Sequence, residues 1–421
     1  MPVRRKLAAL AAPPLLLACL LAPTVPAHAL PAKGRIPASH PSARKKPKFV
    51  HPGVQLSRAD LDYVRKRLKK EPWKSAYKAV KKTRYASLTA RPKPAKEIAC
   101  GPFGAGSNAA CTDERNDAIT AYTAALLWYY GKDKRYLTQA TRYLDAWSAA
   151  NATRTLGDAP LAAAWSGQNW IRAAEIIRYT QPKGKKWKNE KRFSSVLRGR
   201  ILPLIRNGYT ANGMNGNWDL VMADATIGAG VYLNDRGVFD QAIKVLRSRV
   251  PAYFYLESDG DRPHQPSVPV WDIDGYWWQP CSETTNPLDP NPNPCGPGDP
   301  RPAYAEGMTQ ETCRDRIHPM YGIAATMQTA ATAKIQGKNL YPELKKRLTA
   351  ALEFQSKHWL TPVPAWLCGG KLNKALAPGL ELGYQAYRKQ ATLSWTRKAL
   401  LKQRPAGLEQ FMAWETLTNA R

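Results

Sequence analysis

The apolar period constrains this chain more than any other feature. From Ser57 onward hydrophobic residues recur at three- and four-residue spacing nearly everywhere, and runs of alternating β-branched residues are almost absent. Ser57 caps a segment carrying Leu61, Val64 and Leu68. Asp113–Tyr130 sets Ile119, Tyr122, Thr123, Leu126, Leu127 and Tyr130 at helical spacing. The same pattern predicts helices over Lys134–Ala150, Leu161–Thr180, Arg192–Ala211, Asp219–Leu233, Val238–Val250, Pro319–Gln336 and Tyr341–Trp359. A further helical set begins at about Leu382. The chain reads as all-α, a series of helical hairpins joined by short Gly/Asn/Asp turns.

Antiparallel hairpins in such number can close into an (α/α) toroid, an incomplete barrel whose inner helices need small residues where they crowd. Asp219–Leu233 fits an inner helix, with Ala223, Ala225, Gly228, Ala229 and Gly230. Each glycine costs ~1 kcal/mol in a helix, so its use there implies close packing or a nearby site. A superhelical solenoid is the rival architecture, but no fixed repeat is visible. Residues 251–306 break the pattern, being dense in Pro, Asp, Gly and Trp. A loop that long inside a helical domain is usually functional or disordered. Its Tyr276-Trp277-Trp278 cluster and two cysteines favour an ordered lid or cleft wall.

Upstream of the helices lies an address. Arg4, Arg5 and Lys6 precede an apolar run from Leu7 to about Leu21, and Ala27-His28-Ala29 supplies a cleavage pattern. Residues 1–29 are therefore expected to be a secretory signal peptide, residues 30–50 a disordered basic linker, and 51–421 one catalytic domain. Leu16-Leu17-Ala18-Cys19 also resembles a lipoprotein box, the minor route, which would leave Cys19 lipidated. The apolar run is too short and too proline-broken to span a membrane. The expected product is secreted, with no membrane partner once the signal is cut.

Six of the seven cysteines remain after that cleavage, an even number suited to an oxidising compartment. Cys100–Cys111 and Cys281–Cys295 each flank a Gly/Pro/Asn-rich loop, so local pairing is the economical choice and leaves Cys313–Cys368. No CxxC or HxH pair exists, so no metal site is expected.

The balance of charge is extreme. Lys+Arg 63 against Asp+Glu 32 gives +31, more than solubility requires, and suggests a polyanionic partner. Trp 14 and Tyr 19 against Phe 7 favour rings that stack on sugars or bases at a wet surface.

Chemistry can come from a few segments. In Glu311-Thr312-Cys313-Arg314-Asp315-Arg316-Ile317-His318-Pro319-Met320-Tyr321, a continuous helix would hold Glu311, Arg314, His318 and Tyr321 within an arc of about 80°. Pro319 argues for a break instead, with His318 capping the following helix and Arg314 just before its positive end. Both arrangements gather cations around one phenol; alternatively Arg314 and Asp315 form a structural pair and Tyr321 is core. Asn215-Gly216-Asn217-Trp218 precedes a helix, as a turn and cap or as a carboxylate-binding N-terminus. Trp165, Asn169 and Arg172 share one helical face, a polar seam or a sugar-binding wall. His264 lies in the long loop, where a histidine is often merely exposed.

The order of Trp-x-x-Gln-Asn-Trp-x-Arg-Ala-Ala-Glu (165–175), Asn-x-Asn-Trp (215–218), Asp-Gly-x-x-x-His (259–264) and Glu-x-x-Arg-Asp-x-x-His-x-x-Tyr (311–321) resembles the alginate lyase superfamily. Ile335-Gln336-Gly337-Lys338-Asn339-Leu340-Tyr341 resembles that family's helix-to-helix join. The resemblance covers roughly residues 113–360. It implies a toroid fold and β-elimination on uronic-acid polysaccharides such as alginate, with Asn217 and His264 neutralising the substrate carboxylate, Tyr321 moving the protons and Arg314 supporting it. Trp165, Gln168, Asn169, Arg172, Asn215, Trp218, Trp277 and His318 would bind substrate. The family places a histidine beside the motif asparagine, where this chain has Trp218, so His264 would substitute from the loop.

Those residue types suit the reaction. Removing the C5 proton of a uronate builds a second negative charge on a carboxylate, which Asn, His and Arg donors absorb. Tyrosine is a usable base only when nearby cations depress its pKa, a role expected of Arg314. No metal or organic cofactor is required. The expected protein is a monomeric polysaccharide lyase that binds an anionic polysaccharide and no nucleic acid. One alternative is a toroid glycoside hydrolase, which needs two carboxylates, with Glu175, Asp224 and Glu311 available. The other is a non-catalytic binder of cell-wall polyanions.

Overall fold

A computed structural model describes residues 48–182, 186–208, 216–264, Trp277, 303–372 and 375–421. The expected signal peptide, Cys19, most of the basic linker, Asn215, Cys281, Cys295 and most of the 251–306 loop lie outside the described residues.

The helices are α1 (Arg58–Arg65), α2 (Trp73–Lys81), α3 (Ala109–Gly131), α4 (Lys134–Ala150), α5 (Ala159–Thr180), α6 (Glu190–Val196), α7 (Leu202–Gly208), α8 (Asn217–Tyr232), α9 (Arg236–Tyr253), α10 (His318–Ile335), α11 (Tyr341–Leu360), α12 (Leu380–Tyr387), α13 (Ser394–Gln403) and α14 (Glu415–Asn419). Their ends follow local chemistry. Ser57 and Asp60 form a reciprocal capping box on α1, Asp133 accepts from Arg135 N at the start of α4, and Asn151 in the left-handed region ends it. The helix expected over 192–211 continues from α6 to α7 through a π-helical turn at Leu197–Ile201.

The expected (α/α) toroid is the observed fold. Helices α3, α5, α8 and α10 are buried on nearly every face and pack side by side as an inner ring. Helices α4, α9 and α11 carry one buried stripe each and lie outside. The crowding has a clear signature at Gly322 in α10, where an added Cβ would lie 2.2 Å from the Tyr253 ring. The ring's two flanks meet: Arg421 Nη2 donates to Asp60 Oδ1 (2.8 Å), and Trp414 Nε1 donates to Thr123 Oγ1 (2.8 Å). An open superhelix would leave those flanks apart.

Short strands mark the two places where sequence reasoning expected none. Parallel β1 (Glu97–Ala99) and β2 (Thr153–Thr155) sit beside the Cys100–Cys111 bridge near the start of α5. Antiparallel β3 (Leu408–Glu409) and β4 (Met412–Ala413) form a hairpin where the periodicity suggested continued helix. Its Phe411 is fully buried, and Phe411 O accepts from Arg172 Nη1 at 3.0 Å. Both expected bridges among described cysteines, Cys100–Cys111 and Cys313–Cys368, form with Cα atoms 5.4 and 5.1 Å apart.

Three levels run along the inner ring. Trp165, Asn217, His318 and Tyr321 lie toward the N-terminal ends of α5, α8 and α10. In the middle, Arg172 Nη2 donates to Asp224 Oδ2 (2.7 Å) and Gln328 Oε1 (2.6 Å), tying the three helices together. At the C-terminal ends a strap of residues 49–55 crosses them. Phe49 meets the Phe239 ring edge-on, and Val50 N donates to Gln336 Oε1 at 2.8 Å. His51 Nδ1 lies 3.0 Å from Glu175 Oε1, Gly53 N donates to Glu175 Oε2 (2.9 Å), and Gln55 N donates to Thr332 Oγ1 (2.9 Å). Phe49 and Val50, expected in the disordered linker, are thus part of the folded body: the Phe49 ring packs on Phe239, and the Val50 backbone is held by Gln336.

Candidate active site

The site lies at the N-terminal ends of the inner helices, where backbone N–H groups and helix dipoles give a positive potential. Tyr321, one turn into α10, is buried, with its ring 5.7 Å from Trp165, 5.3 Å from His318 and 5.9 Å from Phe411. Its hydroxyl donates to Glu409 Oε1 at 2.9 Å. Burial, and then the Glu409 charge, push the phenol well above its ordinary pKa. This corrects the expectation that Arg314 depresses it: Arg314 Nη1 donates to Glu311 Oε1 (2.9 Å), and the phenol's charged neighbour is an acid. Tyr321 rests as a loaded proton donor.

The turn before α10 resolves the two alternatives for 311–321 in favour of a break. Helix α10 starts at His318 with Pro319 in its first turn. His318 does not cap the helix; Asp315 does, its Oδ1 accepting from Ile317 N (2.7 Å) and His318 N (2.8 Å). Asp315 Oδ2 lies 2.6 Å from His318 Nδ1. Burial opposes ionisation of Asp315, but the hydrogen bonds it accepts from the His318 ring and from His318 N and Ile317 N hold its carboxyl below the usual range. Asp315 therefore pairs with His318, not with Arg314.

Glu311 is the organiser of the second wall. It is buried and accepts at Oε2 from Asn217 N (3.0 Å), Asn217 Nδ2 (2.7 Å) and Tyr253 Oη (3.0 Å). Gly216, at φ +67°, brings the chain so close that an added Cβ would lie 3.1 Å from Glu311 Cδ. Asn217 is thereby buried and oriented, with one of its two amide hydrogens on Glu311. The cation beside this wall is Arg314, a quarter exposed, and its charge also opposes the burial that raises Asp158 at the start of α5.

Several expected binding residues belong to the body of the protein. Arg172 and Gln168 are buried in the middle level, with Gln168 Nε2 donating to Asp224 Oδ2 (2.8 Å) and Val221 O (3.1 Å). Asn169 is fully buried and reaches only Trp165 O, at 3.5 Å. Small neighbours let α5 and α8 approach so closely that these polar side chains are sealed between them. Trp277 is 3% exposed, with its ring 5.2 Å from Tyr304, in a cluster with Tyr255, Met308 and Leu367. His264 is exposed and its Nε2 lies 3.1 Å from Asp259 Oδ1, a carboxylate that Arg347 of α11 holds at both oxygens. Its partners thus lie on α11 and the 257–259 turn, not among those of Tyr321. Trp218 is half-buried against the core, and Asn215 is outside the described residues. The acids named for a hydrolase are likewise engaged: Glu175 by the strap, Asp224 by Arg172, Glu311 by Asn217 and Tyr253.

Glu409 was invisible to sequence reasoning. It sits 88 residues from Tyr321, on a hairpin too short to show alternation. The only local hint was the break in helical period after Gly407.

The alginate lyase family model matches residues 62–264. No curated protein sequence matches the chain. Among solved structures, alginate lyase A1-III of Sphingomonas species A1 is similar over 86% of this chain and 95% of its own, with a TM-score of 0.59 and 14% identity. A variant of that enzyme complexed with a tetrasaccharide is similar over 86% of this chain and 94% of its own, with a TM-score of 0.58 and 14% identity. These likenesses agree with the toroid derived above.

Proposed function

We propose that this chain, whose residues 62–264 match the alginate lyase family model, is a secreted polysaccharide lyase cleaving alginate or a related polyuronate by β-elimination. The observation that carries the reading is the Tyr321 phenol, buried beside Trp165 and His318, kept protonated by its surroundings, at a convergence of helix N-termini. In the elimination, a base takes the C5 proton, the C5–H electrons form the C4=C5 double bond, and the C4–O4 bond breaks toward O4. Tyr321 gives its proton to O4. The transfer accompanies cleavage of the C4–O4 bond, when O4 takes on alkoxide character and becomes a strong base. The charge that grows on the uronate carboxylate faces Arg314 and the positive ends of α8 and α10. Trp165 offers a ring against which a sugar can stack. The overall charge of +31 concentrates a polyanion around the protein.

The test is a screen of alginate, glucuronan and glycosaminoglycans for the unsaturated, UV-absorbing end that elimination leaves. Absence of that product across the panel, with polymer binding retained, would favour a polyanion binder instead.

A further inference from the structure

Resting on that reading, we propose that His318 is the base that removes the C5 proton, with Asp315 as its positioning residue and Tyr321 confined to the role of acid. An elimination run by two groups needs one that begins protonated and one that begins with an open lone pair. The Tyr321 hydroxyl donates to Glu409 and fills the first role. His318 fills the second through its tautomer. Asp315 is ionised and already accepts two backbone N–H groups, so at 2.6 Å it accepts a hydrogen bond from His318 Nδ1–H. A neutral imidazole so held carries its lone pair on Nε2. Among the described residues no hydrogen-bond partner falls on that nitrogen, and the side chain is 24% exposed.

Placement supports the division of labour. The His318 and Tyr321 rings meet edge to face with centroids 5.3 Å apart, so base and acid serve neighbouring atoms of one sugar junction, C5 and O4. The backbone is held as well: the Tyr253 hydroxyl, whose one proton is shared with Glu311, lies 3.1 Å from His318 O. The proton balance closes: the C5 proton ends on Nε2, the phenol proton ends on O4, and the resulting imidazolium and phenolate exchange one proton with solvent before the next turn. The arrangement also accounts for Trp218 in the place of the family's histidine. The imidazole is supplied from the start of α10 instead.

Two measurements test this, one without substrate. Nitrogen-resolved NMR of the whole protein at pH 8 should show His318 with Nδ1 protonated and Nε2 bare, and Asp315→Asn should shift that tautomer balance while keeping the cap acceptor. A proton on Nε2 in the unaltered protein overturns the proposal. In the UV assay, His318→Ala should lose at least ~10²-fold in turnover and regain part of it with added imidazole, whereas Tyr321→Phe should lose activity without such rescue. His318→Gln, which fills more of the space, guards against a folding defect. Elimination by the unaltered protein tests the lyase reading by itself. Near-normal turnover in a folded His318→Ala overturns the base assignment and leaves that reading standing.

Discussion

The two ends of the toroid use the same helices for opposite purposes. At the C-terminal ends of α5, α8 and α10, the strap closes polar groups: His51 and Gly53 N–H on Glu175, Gln55 N–H on Thr332, Val50 N–H on Gln336. The strap brings mainly donors, which is what the negative ends of parallel helices call for. At the N-terminal ends, the polar groups are held from behind, and His318 and Arg314 each keep 24% of the side chain exposed. Asp315 holds His318, Glu409 holds Tyr321, and Glu311 holds Asn217 and Arg314. The difference teaches where rigidity comes from in this fold. One end is sealed by pairing; the other is braced by pairing so that a face can stay open.

Tyr321→Phe should separate the ends most sharply. Turnover should fall ~10²–10⁴-fold, while the melting temperature changes little, because the ring and its contacts with Trp165 and Phe411 remain. A variant that melts early instead would place the phenol in the structural half of the comparison.

Arg172→Met attacks the level between the ends. It strands Asp224, which burial already raises to about 6 against the pull of Arg172, and it removes the donor to Phe411 O. Loss of one partner of a buried pair costs ~3–5 kcal/mol, read by denaturant unfolding. Activity should fall too, since the hairpin that carries Glu409 loses an anchor.

Glu415→Gln gives a pH-dependent effect. Burial, with the charge of Glu381, raises Glu415 from 4.5 to about 7. Its folded pKa exceeds its unfolded one, so the associated stability is complete below pH ~4.5 and lost as pH rises through about 7. Relative to the variant, the unaltered protein should therefore weaken by up to about 3 kcal/mol between pH 4.5 and 8. Parallel melts at both values check it.

The smallest effect belongs to the sealed end. Burial works against the charge of His51, but Glu175 carries its pKa above the ordinary value. His51→Gln should cost about 1.5 kcal/mol below pH 6, where the imidazolium bond is complete, and less as pH rises through the raised pKa. Turnover should be unaffected at constant folded fraction.

Much of the ring was legible because its signals are local. The expected range Lys134–Ala150 is that of α4, which Asp133 and Asn151 end, and Pro319 marks a true break. The site was only half legible. Tyr321, His318 and Arg314 stand in one motif, but their partners are set by packing: Glu409 comes from the hairpin, Asn217 meets Glu311 across 94 residues, and Arg172 meets Phe411 across 239. Helical period identifies a buried face without saying whether a polar side chain on it opens to a cleft or seals a seam. Gln168, Asn169 and Arg172 fell on the sealed side for that reason.

The seam where α1 and α3 meet the hairpin and the final residues has a kinetic consequence. Its bonds join positions 361 residues apart at Asp60–Arg421 and 291 apart at Thr123–Trp414. Helical proteins usually fold fast because their contacts are near in sequence, and the rate falls as that separation grows. Here each hairpin can form early, but closing the circle must await an encounter across nearly the whole chain, against the entropy of the largest loop it can make. Glu409 and Phe411 reach Tyr321 and Arg172 through that same closure. Activity should therefore appear in the slowest refolding phase, after helical circular dichroism has already recovered.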